Sequence, residues 1–196
     1  MGGERLSPVT RRTRHCGMPE SSEDLRRTIR EAAAERNRLH EALRTTTPGT
    51  GTGEEARAYA ATRRFIDRMR SPEALAALAA GEPDALEYAL CFLEEHPFCP
   101  DSGFALRDIA RALRRSPMPP AAAARVRTAL LAIVAQPARD EMKHLRQLAL
   151  AVADEEFLLA LDALADAGAT PASANAVALA NYLTKRWDTR EGSLEG

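Results

Sequence analysis

The chain has 196 residues, of which 45% are apolar and only 5% aromatic. Ala and Leu supply most of the apolar side chains and favour helix, whereas the Val and Ile that favour strands are few. The formal net charge of −1 argues against a general polyanion-binding role for the whole chain.

The basic residues are 25 Arg and two Lys, and they are spread unevenly. Residues 1–70 hold 15 Arg against 10 acidic residues, whereas residues 71–196 hold 12 basic against 18 acidic residues. Cys16, Cys91 and Cys99 have no disulfide-framework spacing. No apolar run approaches the roughly 18 residues of a membrane span, and none follows Arg11, Arg12 and Arg14 as a secretory signal requires. We therefore expect a cytoplasmic protein without a membrane partner.

The chain begins with residues 1–20, which lack an apolar period and predict a disordered N-terminal tail. Residues 21–44 predict an amphipathic helix that Ser21 or Ser22 caps. A heptad-like seam runs along this helix through Leu25, Ile29, Ala32, Arg36, Leu39 and Leu43. Arg36 interrupts the seam at its centre, so we expect this helix to pack on the body of the protein rather than form a free coiled coil.

Residues 45–53 are rich in Thr and Gly and predict a flexible linker. One helix is expected from about Glu54 to Arg70. Its inner face carries Tyr59, Thr62, Ile66 and Met69, and its outer face carries Arg57, Arg64 and Arg68.

From Ser71 onward, short helices follow one another, and prolines mark most of their starts. Predicted N-caps are Ser71, Asp101 or Ser102, and Asp154, and Thr170 with Pro171 opens the last helix. Gly81 and Gly168 are predicted to close helices. The last helix is expected to end near Trp187, leaving residues 188–196 as a C-terminal tail.

Alternate helices start near Pro83, Pro120 and Glu155, a spacing of 37 and then 35 residues. A period of this length is typical of paired-helix repeats. Over residues 72–187 the chain resembles the HEAT-like and tetratricopeptide-like α-solenoids in this rhythm. The resemblance implies an all-α helical-repeat domain, residues 54–187, of stacked antiparallel helix pairs. An irregular globular helical bundle is the alternative.

Two basic stripes are the main candidate site. Arg107, Arg111 and Arg114 lie at i, i+4 and i+7 opposite an apolar face, and Arg139, Lys143 and Arg146 repeat this spacing one pair later. In a solenoid the second helices of successive pairs lie side by side, so the stripes would merge into one basic wall that includes Gln147. The alternative is two solvated faces, offset by Asp108, Asp140 and Glu141. No aromatic residue interleaves the arginines, which argues against single-stranded nucleic acid.

Two weaker constellations contain metal-ligand residue types. Cys91, His96 and Cys99 supply three ligands where structural zinc takes four, and Cys91 has the context of a buried helical residue. Glu141 and His144 form a single Glu-x-x-His pair where a di-iron bundle needs two, so we interpret His144 as a residue at the core boundary. We predict no metal site, no cofactor and no catalytic residue.

These observations favour a non-catalytic adaptor or scaffold that binds a protein or peptide through the two basic stripes. One alternative is nucleic-acid association through the stripes together with Arg57, Arg64 and Arg68. A second alternative is a helical enzyme or accessory factor with a small-molecule or metal pocket between helices, drawing on Glu141, His144, Cys91 and Cys99.

Overall fold

The computed structural model describes residues 21–45, 53–136, 142–168 and 170–191. These residues are helical and include no strand, which confirms the all-α prediction. The helices are α1 (Ser22–Thr45), α2 (Gly53–Thr62), α3 (Arg64–Arg70), α4 (Pro72–Ala80), α5 (Pro83–Glu95), α6 (Ser102–Leu113), α7 (Pro120–Val134), α8 (Met142–Val152), α9 (Glu155–Ala165) and α10 (Pro171–Glu191). The predicted tail at residues 1–20, linker residues 46–52 and residues 192–196 lie outside the described residues.

Local chemistry sets most helix starts where the sequence predicts them. The hydroxyl of Ser71 accepts a hydrogen bond from the Ala74 amide at 3.1 Å, which caps α4. The same kind of bond caps α1, α9 and α10 through Ser21, Asp154 and Thr170. None of the described helices is both long and apolar enough to cross a bilayer.

Gly81 ends α4 in a left-handed conformation, with a φ of 78°. A Cβ atom at this position would lie 2.7 Å from Cγ of Pro117, so both the backbone conformation and the neighbouring loop require glycine. The predicted C-terminal glycine of α4 is therefore confirmed, with a packing reason that the sequence did not reveal.

Two helix ends differ from the predictions. α9 ends at Ala165 with Asp166 as its C-cap, so Gly168 does not close it. α10 continues to Glu191, past the end expected near Trp187.

Two further local predictions are wrong. The helix expected from Glu54 to Arg70 is divided at Arg63 into α2 and α3. The side chains of Asp101 and Ser102 do not cap α6 in the expected way. Asp101 has a φ of 69° and makes no capping bond, while the Ser102 hydroxyl donates to the Cys99 carbonyl at 2.7 Å.

Arg36 has a different role from the one its place in the seam of α1 suggested. Its side chain is 1% exposed, and its guanidinium donates to the Pro100 carbonyl at 2.9 Å and to Asp101 Oδ2 at 2.6 Å. Weaker bonds reach the Tyr59 carbonyl and the Thr62 hydroxyl, both at 3.3 Å. Arg36 therefore joins α1 to α2 and to the α5–α6 turn. A buried guanidinium needs hydrogen-bond acceptors, and these acceptors explain why a charged residue lies within the apolar seam of α1.

The helices pack as sequential neighbours and as alternate neighbours. α5 contacts α6, α7 contacts α8, and α9 contacts α10. In addition α5 contacts α7, α6 contacts α8, and α8 contacts α10, while α1 packs on α5 and α2 as a helix of the body. One core of buried apolar side chains extends from Leu25 in α1 to Leu183 in α10. This packing places α6 and α8 side by side at the surface.

Candidate functional site

The neighbouring helices α6 and α8 bring part of the two predicted stripes together. Arg111 on α6, Arg114 at the C-cap of α6 and Lys143 on α8 are exposed and line one depression of about 430 Å³. Ala110, His144 and Gln147 complete its lining. We call this depression, defined by these six residues, the basic groove.

The positive charge of the basic groove is not balanced within the described part of the chain. No described carboxylate forms an ion pair with Arg111, Arg114 or Lys143. Arg114 instead donates to the amide oxygen of Gln147, whose amide nitrogen donates to the Tyr182 hydroxyl at 3.3 Å. These bonds position Arg114 without neutralising it, so the groove presents an attractive site to an anion.

His144 lies half-buried in the wall of the groove, as expected for a residue at the core boundary. Burial lowers its pKa below the usual 6.5, and the positive charges of Arg111, Lys143 and Arg107 lower it further. His144 is therefore neutral at pH 7 and contributes a hydrogen-bonding ring nitrogen rather than a charge.

A second depression of about 410 Å³ adjoins the basic groove and shares Lys143 and His144 with it. Its lining includes Phe98, Phe104 and Arg107, and the side chain of Phe104 is 53% exposed. We call this second depression the aromatic depression.

Phe104 lies among charged groups. The guanidinium carbons of Arg107 and Arg70 lie 5.4 and 5.7 Å from the centre of its ring. Both arginines also pair with Asp108, at 2.8 and 3.1 Å. Burial alone would raise the pKa of Asp108, but these two hydrogen bonds outweigh it and the pKa is lowered. Arg107 is thus a partly neutralised residue at the rim of the site.

The remaining predicted site residues lie elsewhere. The guanidinium of Arg146 faces α10, 6.0 Å from the ring of Tyr182, and its Nε is buried without a hydrogen-bond partner among the described residues. Arg139 lies outside the described residues. The structure therefore gathers Arg111, Arg114 and Lys143 into one groove and places Arg107 beside it.

Sequence analysis overlooked Phe104. It precedes Arg107 by three residues and Arg111 by seven, so it shares their face of α6. No aromatic residue lies among residues 107–115, but the ring of Phe104 lies at the start of the same face. Helical spacing extended one turn toward the N-terminus would have found it.

Cys91, His96 and Cys99 have separate surroundings. The Cys91 thiol lies 3.3 Å from Glu87 Oε1, and its pKa is raised to about 11 by burial and by that carboxylate. His96 ends α5 and its Nδ1 lies 3.3 Å from Gln136 Oε1, while burial raises the pKa of the Cys99 thiol. Within the described ranges, no three His, Cys, Asp or Glu side chains form a cluster suited to a metal ion.

A second arginine cluster joins α1, α5 and α7. Arg125 pairs with Glu87 and with Glu94, each at 2.6 Å, and Arg26 pairs with Glu94 at 2.7 Å. The hydrogen bonds from Arg125 lower the pKa of Glu87 to about 2. We call these four residues the ion-pair seam, and its charges balance one another.

Comparison with protein-family models, with curated proteins and with solved structures finds no match to this chain.

Proposed function

We propose that this protein is a non-catalytic helical-repeat adaptor that binds an acidic segment of a protein or peptide in the basic groove. Two kinds of packing support a stacked arrangement of helix pairs: consecutive helices pair, and α6 contacts α8 as α5 contacts α7. In HEAT-like and tetratricopeptide-like solenoids, such stacking builds long binding surfaces from equivalent helices of successive pairs.

The observation that carries the proposal is the unbalanced charge of the groove. Arg111, Arg114 and Lys143 line one depression and pair with no described carboxylate. Elsewhere in the protein arginines reach acidic partners readily, as Arg26, Arg30 and Arg125 do. Three cations without an acidic partner among the described residues would repel one another in the free protein, and an acidic ligand would relieve that repulsion.

A peptide fits the surrounding charge better than a nucleic acid does. Asp101 lies in the adjoining aromatic depression, and Asp108 lies beside Arg107 on α6. Residues 71–196 hold 18 acidic against 12 basic residues. A long polyanion would meet this negative charge beyond the groove, whereas a short acidic segment would not.

The test measures the fluorescence anisotropy of a labelled glutamate-rich peptide at low ionic strength. The variant Arg111→Glu/Arg114→Glu reverses two charges in the groove, and the control Arg57→Glu/Arg64→Glu reverses two exposed charges on α2 and α3. The net charge of both variants changes equally. We expect the groove variant to bind at least about tenfold more weakly, since each cation–carboxylate contact is worth roughly 1 kcal/mol, and the control to bind within about twofold of wild type.

Single-stranded DNA and a lysine-rich peptide of matched length complete the comparison. Equal losses in the two variants would refute a role for the groove, because they would reflect net charge alone. Tighter binding of DNA than of the acidic peptide, with a steep salt dependence that the α2–α3 variant reduces, would support nucleic-acid association instead.

A further inference from the structure

The basic groove and the aromatic depression form one continuous surface with two chemically different ends. Lys143 and His144 line both. Arg107 shares a depression with Lys143, and farther along α6 Arg114 bonds Gln147, which is farther along α8. Because the residue numbers rise together in these two pairs, α6 and α8 run in the same direction. Phe104 lies toward the start of this surface, and Arg111 and Arg114 lie toward its end.

We propose that this surface recognises a two-part motif: a pair of acidic residues and, about three residues away, one large apolar side chain. This inference rests on the proposed function and specifies which acidic segments the groove selects. The acidic pair contacts Arg111, Arg114 and Lys143, and the apolar side chain packs on the exposed face of Phe104.

The spacing follows from helix and strand geometry. Phe104 and Arg111 are seven residues apart on one face of α6, which is about 10 Å at 1.5 Å per residue. An extended peptide advances about 3.3 Å per residue, so about three residues cover this distance. An acidic residue next to the apolar side chain would remain near Asp101, and one much farther away would pass beyond Arg114.

The surroundings of Phe104 fit an apolar ligand group better than a second charge. Arg107 and Arg70 already contact its ring and already pair with Asp108. Packing an apolar side chain of the ligand against the exposed part of the ring is favourable, because the ring and the ligand group both leave water. The acidic part of the ligand finds cations in the basic groove that pair with no carboxylate of the described residues.

The experiment measures Kd by anisotropy for labelled peptides that carry a phenylalanine next to a glutamate pair, three residues from it or eight residues from it, in both orders. A peptide with alanine in place of the phenylalanine is the reference. We expect the three-residue spacing, in one of the two orders, to bind about tenfold more tightly than the alanine peptide. Burial of roughly 50 to 60 Å² of apolar surface accounts for a factor of that size.

The protein variant Phe104→Ala should remove this tenfold gain and leave the Kd of the alanine peptide within about twofold. Leu159→Ala is the matched control, since Leu159 is 64% exposed on α9 and lies away from both depressions. Circular dichroism melts of both variants check folding. Loss of all peptide binding by a folded Phe104→Ala variant would contradict a separate apolar contact.

The outcomes separate this inference from the proposed function. If all spacings bind equally, or if the gain persists in Phe104→Ala, the two-part motif is wrong, although acidic binding in the groove stands. If Arg111→Glu/Arg114→Glu leaves every Kd unchanged, both proposals fail. A preference for DNA of equal charge over the best peptide would also overturn the motif.

Discussion

Arginine side chains have different roles in the ion-pair seam and in the basic groove. In the ion-pair seam, Arg26 and Arg125 meet Glu87 and Glu94 at 2.6 to 2.7 Å, and the charges balance within the fold. In the basic groove, Arg111 and Arg114 form no ion pair with a described carboxylate. The difference lies in the neighbouring helix: α5 presents glutamates to α1 and α7, whereas α8 presents Lys143 and Gln147 to α6.

The role of each arginine depends on the acceptors that tertiary packing brings to it. Arg36 is the extreme case, because it is buried among acceptors from two other parts of the chain, α2 and the α5–α6 turn. The ion-pair seam and Arg36 should therefore affect stability, and the basic groove should affect binding. Three substitution experiments test this division, in order of decreasing effect on the free energy of unfolding.

The largest effect is expected for Arg36→Met. The substitution keeps much of the side-chain volume but removes every hydrogen bond to the α5–α6 turn and to α2. Breaking a buried charged contact costs about 3 kcal/mol or more, which urea unfolding followed by circular dichroism would detect. The control Arg38→Met, on the same helix, removes only an exposed pair with Glu35 and should leave the free energy of unfolding close to that of the wild type. Equal costs for the two variants would contradict the role assigned to Arg36.

An intermediate effect is expected from acid at the ion-pair seam. Hydrogen bonding to Arg125 lowers the pKa of Glu87 to about 2 in the folded protein. A carboxyl group whose pKa is lowered on folding stabilises the folded protein at pH values above its ordinary pKa of 4.5. This contribution is lost as the pH falls from 4.5 toward 2.

At about pH 6, Glu87→Gln should therefore be less stable than wild type by on the order of 2 kcal/mol, and the difference should shrink as the pH approaches about 2. Urea unfolding at several pH values measures it. Glu31→Gln, an exposed substitution in the middle of α1, is the control and should match wild type throughout. A constant difference between Glu87→Gln and wild type across this range would show that the carboxylate charge of Glu87 is unimportant.

The smallest effect is expected for Arg111→Ala/Arg114→Ala. Both side chains are exposed and unpaired with described carboxylates, so the free energy of unfolding should change by no more than about 0.5 kcal/mol. The same urea experiment measures this. Destabilisation beyond about 1 kcal/mol would place the basic groove with the ion-pair seam as a structural feature and would remove the distinction between the two surfaces.

The sequence determined the helices and most of their ends, because these depend on local chemistry. Ser71, Asp154 and Thr170 cap the helices that they precede, and prolines occupy the first position of α4, α5, α7 and α10. The α6 stripe of Arg107, Arg111 and Arg114 was also readable, since helical spacing alone puts these residues on one face. Phe104 lay within reach of the same reasoning.

Which of these charges are balanced depends on how the helices pack. Arg36 looked like a defect in an apolar seam until packing placed the Pro100 carbonyl and Asp101 around it, 64 and 65 residues away along the chain. Arg146 belongs to the same predicted basic stripe as Lys143, yet it faces Tyr182 on α10 rather than the groove. Helical periodicity fixes the direction of a side chain relative to its own helix. The acceptor that the side chain meets belongs to another helix, so the identity of that acceptor depends on how the helices pack.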